Sequence, residues 1–264
     1  MKKTIVALMA LAGMAMAETT LVWDLDMSSN GITIRTAEGV TTNLGSGVAS
    51  SAYNTSDQSI TLSESGFNFR QSAGCVTYGD AFSMLVTVRV AKGTNGWPTI
   101  FGFGDYNSSN SIANPSWKAH MGTSNGKWVL DKDEYSNDDL DQTKKDSGEV
   151  VYTLPSDGSY GDKIDVIIQN DGKGTLTLYV GDSTNGYEMA GYTSFKAANF
   201  SSYSSNELDL FSIGERSREG NNDSKIKLYD AKLVKGLIVP EPATATLSVL
   251  ALAGLAARRR RATR

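Results

Sequence analysis

A period-two alternation of apolar and polar residues constrains this chain more than anything else in it. Leu21, Trp23, Leu25 and Met27 alternate with Val22, Asp24 and Asp26. Phe82, Met84, Val86, Val88 and Val90 alternate with Ser83, Leu85, Thr87 and Arg89. Leu176, Leu178 and Val180 alternate with Thr175, Thr177 and Tyr179. Leu208, Leu210 and Ser212 should face opposite to Asp209, Phe211 and Ile213, and Ile226, Leu228 and Tyr229 open a last strand before Leu233 and Val234. Shorter strands are expected at 59–62, 67–70, 99–104, 127–130, 150–154 and 164–169. A period of two places every second side chain on one face of a strand, whereas a helix would need 3.6. Between the runs stand Asn95-Gly96, Ser124-Asn125-Gly126, Asn170-Asp171-Gly172 and Asn185-Gly186. Asn, Asp and Gly tolerate positive φ and so close tight hairpins. The expected fold class is all-β, a single β-sandwich over residues 18–238 with no repeat and no internal linker.

The two ends obey other rules. Lys2 and Lys3 precede an apolar run from Ile5 to Met14, and Ala15-Met16-Ala17 supplies small residues at both cleavage positions, Ala15 and Ala17. This order is that of a secretory signal peptide over residues 1–17. At the other end Val239-Pro240-Glu241-Pro242 can join neither a helix nor a central strand. Residues 243–257 then run without a charge, and Arg258 to Arg261 close the run. A helix of that length spans roughly 22 Å at 1.5 Å per residue. That is short for the bilayer core, and Arg snorkelling or local thinning would complete the crossing. The arginines should stay on the cytoplasmic side.

The order of Pro-Glu-Pro, short apolar helix and terminal arginine cluster resembles the PEP-CTERM sorting signal of Gram-negative bacteria, over residues 239–264. The resemblance implies processing by an exosortase-type membrane protease that reads Val239, Pro240, Glu241 and Pro242. It implies a single transmembrane helix serving as a transient membrane anchor, and a destination at the cell surface or in an exopolysaccharide-rich matrix. The middle of the chain carries a second resemblance. Residues 81–90, Thr99-Ile100-Phe101-Gly102-Phe103-Gly104, the hairpin from Lys163 to Gly181, Phe211-Ser212-Ile213-Gly214 and residues 225–230 are similar to strands of LamG-like, concanavalin A-like jelly rolls. That resemblance implies a jelly-roll sandwich and an extracellular binding role.

Charge and rare residues narrow the chemistry. The formal net charge of −4 is uneven: residues 18–240 hold 18 basic against 28 acidic side chains, a net of −10. An acidic body argues against a nucleic-acid partner. One Cys, Cys75, excludes an internal disulfide, and one His, His120, excludes a multi-histidine metal centre. His120 also has no G-x-S-x-G nucleophile elbow to serve.

Carboxylate chemistry is what remains. Glu207-Leu208-Asp209 begins the E-x-D-x-x-E pattern that lines one face of a glycosidase strand in concanavalin A-like enzymes, but Phe211 and Ser212 occupy the later acid positions. Glu207, Asp209 and Glu215 are the catalytic candidates the pattern offers, and a second well-placed carboxyl is needed as general acid. The stretch 131–146 carries seven acids and three lysines. Asp131, Asp133, Asp138 and Asp139 offer hard oxygens suited to Ca²⁺, the one cofactor expected if any, against the plainer reading of a solvated loop. Trp97, Tyr106, Trp117, Trp128 and Tyr135 fall in or beside a Gly/Asn-rich stretch, where aromatic faces with nearby amides could stack on sugar rings. The competing reading packs the tryptophans in the core. Together these point to a non-catalytic, secreted glycan-binding or adhesive protein. The alternatives are a polysaccharide hydrolase of the same fold and a purely structural matrix protein.

Overall fold

A strand with one apolar face is stable only when that face is covered, so alternating strands must pair edge to edge and then pack face to face. The computed structural model describes residues 19–28, 31–37, 41–43, 53–62, 67–70, 76–91, 99–106, 112–121, 128–132, 143–146, 154–194, 207–208, 210–213 and 225–239. Within them the chain is all-β, with eighteen strands and no helix. In chain order they are β1 (Thr20–Ser28), β2 (Gly31–Thr36), β3 (Thr41–Asn43), β4 (Tyr53–Asn54), β5 (Ser59–Leu62) and β6 (Phe67–Arg70). Next come β7 (Val76–Thr77), β8 (Ala81–Ala91), β9 (Thr99–Tyr106), β10 (Ile112–Met121), β11 (Trp128–Lys132) and β12 (Thr143–Asp146). The last six are β13 (Ile164–Asp171), β14 (Thr175–Asp182), β15 (Gly186–Ser194), β16 (Glu207–Leu208), β17 (Leu210–Ile213) and β18 (Lys225–Lys235).

The strands pair antiparallel into a large sheet, β12-β15-β14-β13-β8-β18-β1-β2-β3, with β5 and β4 added beside the first half of β18. A second sheet runs β11-β10-β9-β17-β6, and β16 pairs with β7. The two larger sheets share one core. Trp23 on β1 meets Phe211 on β17 edge to face at 5.1 Å, and Phe82 on β8 meets Phe103 on β9 at 5.6 Å. The inward residues of β8, β13 and β14 join Phe101, Trp117, Trp128 and Ile213 of the second sheet in that core.

Most of the alternation holds, and where it fails a backbone irregularity is responsible. On β1 the register slips between Leu21 and Trp23, so Val22 joins the core and Leu21 turns to the opposite face. On β18 the register slips at Tyr229, and the inward set changes from Ile226 and Leu228 to Ala231 and Leu233. A bulge adds one residue to one strand and so reverses the phase of the residues beyond it. The expected strand around Glu207 is two strands: β16 pairs with β7, whereas β17 pairs with β6 and β9. Phe211 and Ile213 therefore point inward together with Leu208, which corrects the expected opposition between Leu208 and that pair. Of the acidic stretch 131–146, its first two residues end β11 and its last four form β12, an edge strand on β15. The strand expected at 150–153 lies outside the described residues, and Leu154 belongs to no strand. Among the described residues no helix is long and apolar enough to cross a membrane.

Candidate functional site

The outward face of the large sheet is the site that the fold assembles. Its residues are the alternate positions left by the core, and they fall into three bands along β8.

The first band is apolar. Leu85, Ile167, Tyr179 and Val234 form a second buried cluster, with Leu21 and Tyr187 packed beside it. The chain covers this patch itself. After β18, Gly236 takes φ +99, a left-handed value that glycine adopts at little cost. Its N–H donates to the Ala81 carbonyl at 2.8 Å, and residues 237–239 turn back over the patch.

The second band is polar and spans five strands in register. Tyr187 pairs with Gly181, Gly181 with Asp165, Asp165 with Thr87, and Thr87 with Asp230. Asp165 accepts from Thr87 Oγ1 at 2.6 Å and from Tyr187 OH at 3.0 Å. Gly181 makes the second bond possible, because a Cβ there would come within 2.9 Å of Tyr187 Cα and 2.1 Å of the Gly186 carbonyl oxygen. Burial, with Asp165 beside it, pushes the Tyr187 phenol far above its ordinary value. Burial also pushes the Asp230 carboxyl up, against the pull of Lys232, while Asp24 and Asp165 add to the rise. Asp24 is itself held by Arg35, whose Nε donates at 3.0 Å and whose Nη2 takes the other oxygen.

The third band is aromatic and charged. The Lys163 ammonium lies 4.4 Å from the centre of the Tyr229 ring, and Lys227 lies 5.4 Å from that of Tyr160. Both rings are half-buried. Lys227 also donates to Asp57 at 2.8 Å, which holds the Asp57 carboxyl below its usual range. Arg89 fixes the 160–161 backbone from beneath, its Nε on the Gly161 carbonyl at 2.6 Å and its Nη2 on that of Tyr160 at 3.3 Å. Each ring therefore has a positioned cation over it, and the Asp57 carboxylate pairs with the ammonium over Tyr160. Amphipathic rings among fixed donors and acceptors suit a polyhydroxylated ligand.

The residues singled out from sequence fare differently. Trp117 and Trp128 are 2% and 0% exposed and belong to the core between the sheets, so they offer no face to a ligand. This corrects their reading as stacking platforms: strand pairing of β10 with β11 turns both indoles inward. The backbone of Tyr106 ends β9, paired with Ile112. Trp97 and Tyr135 lie outside the described residues. The backbone of Glu207 lies in β16, paired with Thr77 of β7, while Asp209 and Glu215 lie outside the described residues. Asp131 pairs with Lys118 on the sheet edge, and Asp133, Asp138 and Asp139 lie outside. Among the described residues no three His, Cys, Asp or Glu side chains converge as a metal cage would require. Cys75, the signal segment with Ala15 and Ala17, and everything from Pro240 onward also lie outside; Val239 is the last residue described.

Nothing in the sequence marks Tyr160, Tyr187, Tyr229, Asp165 and Asp230 as a group. Each outward position on 164–169 can be read from alternation, but which strands lie beside one another cannot.

No protein-family model matches the chain, and no curated protein matches it. Solved structures of low identity do align. The Trypanosoma rangeli sialidase in complex with sialic acid is 14% identical with a TM-score of 0.48, over 87% of this chain and 32% of the sialidase. The botulinum neurotoxin serotype D binding domain is 16% identical with a TM-score of 0.49, over 82% of this chain and 48% of that one. The binding domain of Paraclostridial Mosquitocidal Protein 1 is 16% identical with a TM-score of 0.49, over 87% and 52%. The chain thus spans about a third to a half of the length of these structures.

Proposed function

We propose that this chain is a secreted, surface-sorted bacterial protein whose domain, a LamG-like jelly roll of concanavalin A type, binds extracellular polysaccharide or mediates adhesion without catalysis. The observation that carries the binding reading is the third band of the outer face, where Tyr160 and Tyr229 each have a positioned lysine over the ring. A sugar presents apolar C–H faces and many hydroxyls, and this band answers both with rings, ammonium donors and carboxylate acceptors. The sorting reading is supported by the sequence at the two ends: lysines, apolar run and Ala-x-Ala at the start, Pro-Glu-Pro, apolar run and arginines at the finish. On that reading the partners are an exosortase-type protease, the membrane during transit, and a glycan afterwards.

The test is a glycan array, then calorimetry on the best ligand. Tyr160→Ala and Tyr229→Ala should each weaken binding about tenfold, as loss of an aromatic contact worth about 1–1.5 kcal/mol implies. No binding by the wild type to any glycan would leave the structural-matrix reading in its place. Reducing-sugar release that disappears on Asp230→Asn would instead favour hydrolysis. For sorting, intact mass of surface protein should lack the residues after about Pro240, and retention of Arg264 would contradict it.

A further inference from the structure

Two buried polar side chains on the outer face have a single task. Ser83 is 0% exposed and Gln169 is 4% exposed, side by side in register on β8 and β13. They sit next to the apolar patch of Leu85, Ile167 and Val234, where an unsatisfied polar group is costly. What satisfies them is the backbone of residues 236–239. The Gln169 carboxamide forms a two-way pair with Val239: Nε2 donates to the Val239 carbonyl at 2.9 Å, and Oε1 accepts from the Val239 N–H at 3.0 Å. This is the exchange of one donor and one acceptor that a neighbouring strand residue would make, supplied by a side chain. Ser83 Oγ accepts from the Ile238 N–H at 3.0 Å, and its hydroxyl lies 2.9 Å from the Gly236 carbonyl and 3.2 Å from Gln169 Oε1. Ile238 packs into the apolar patch, and Val239 packs against it. The backbone bends at Ile238 and Val239, and that bent shape is what the carboxamide grips.

We infer that Ser83 and Gln169 form a binding slot for one short, bent aliphatic stretch of peptide backbone, that Ile238-Val239 is its resident ligand in cis, and that the slot shields the chain just ahead of Pro240 from proteases while the domain is folded. The slot lies at the opposite end of the face from Tyr160 and Tyr229, and the inference stands whether or not those rings bind a glycan. It makes the exit of the C-terminal segment a fixed point on the sheet, with no slack between the folded domain and Pro240. A protease acting ahead of Pro240 must wait for the slot to open.

The experiment uses the full chain. Hydrogen exchange is monitored by mass spectrometry at Ile238 and Val239, with core amides of β8 and β13 as an internal reference. Limited proteolysis is run alongside with an enzyme that cuts before aliphatic residues. In the wild type the two amides should be protected and cleavage at 237–239 slow. Gln169→Ala should speed both at least tenfold while the core amides keep their protection. Gln169→Glu guards against a variant that merely loosens the fold. Its ionised carboxyl repels the Val239 carbonyl at pH 7, whereas its protonated form near pH 4 regains the donor. Protection of Val239, corrected for the intrinsic pH dependence of exchange, should therefore be lost at pH 7 and recovered near pH 4. Unprotected amides in the wild type, unchanged protection in Gln169→Ala, or a loss in Gln169→Glu that pH does not reverse would overturn the inference.

Discussion

Asp230 owes its position to the residue before it. From Ile226 and Leu228, strict alternation would send Asp230 into the core. Tyr229 instead takes up a bulge, which shifts the phase so that Ala231 and Leu233 point inward and Asp230 outward. The carboxyl remains close enough to the sheet to be desolvated, and burial raises its pKa against Lys232. The folded state thus holds the proton more tightly than the unfolded chain does. Stability from this group is complete below the unfolded value near 3.9 and is lost as pH rises through the raised folded value. Asp230→Asn should consequently raise Tm at pH 7 and confer little near pH 3, by about 2–4 °C for each kcal/mol relieved in a domain of this size. Thermal melts of both proteins at the two pH values check this, and a larger gain at pH 3 would contradict the linkage. The same band shows why Gly181 is glycine: Gly181→Ala should push β15 away and break the Tyr187–Asp165 bond.

At the scale of the element, strands with unbroken alternation are legible in the sequence and interrupted ones are not. Residues 59–62 and 67–70 are strands with the expected bounds, and 164–169 extends by two residues into β13. β10 is hidden because Asn114-Pro115-Ser116 breaks its pattern, and its pairing with β9 skips from Ala113 to Trp117. Proline lacks the donor that a ladder needs, so the strand survives by an irregularity there. β15 is masked by its polar run Tyr187-Glu188 and by a bulge opposite Leu178 and Tyr179. The split between β16 and β17 is likewise silent in sequence, since Leu208, Leu210 and Ser212 alternate as if continuous. The placement of Trp128 on β11 carries a prediction. Trp128→Ala should destabilise by about 3–5 kcal/mol, as for a buried aromatic, and leave glycan affinity unchanged in the folded fraction. Denaturant melts with calorimetry separate the two effects; a stable Trp128→Ala with lost binding would return this residue to the surface.

Across the whole molecule, the core cluster is continuous from the large sheet to the second, with Trp23 against Phe211 and Phe82 against Phe103 as contacts across it. A single shared core predicts one cooperative unfolding transition. Phe211→Ala should lower that one transition by about 3–5 kcal/mol without splitting it. Scanning calorimetry resolving two transitions would show that the sheets unfold separately. The arrangement also divides labour between the two faces of the large sheet: one makes the core, and the other carries the strap at one end and the tyrosine–lysine band at the other.

The sequence by itself determined the all-β class, the inward sets of β8 and β14, and the exclusion of an internal disulfide and of a multi-histidine metal centre, because these depend on residue identity and on the two-residue repeat. Tertiary structure alone decided which outward residues become neighbours. Tyr187 reaches Asp165 across a glycine because β14 lies between β13 and β15, and Lys163 covers Tyr229 and Gln169 grips Val239 only because β8 lies between β13 and β18. Strand order is a long-range choice, and local alternation carries no record of it. The bulges at Val22 and Tyr229 matter for the same reason. One extra residue reverses every side chain beyond it, and the pairing partner decides where that residue goes.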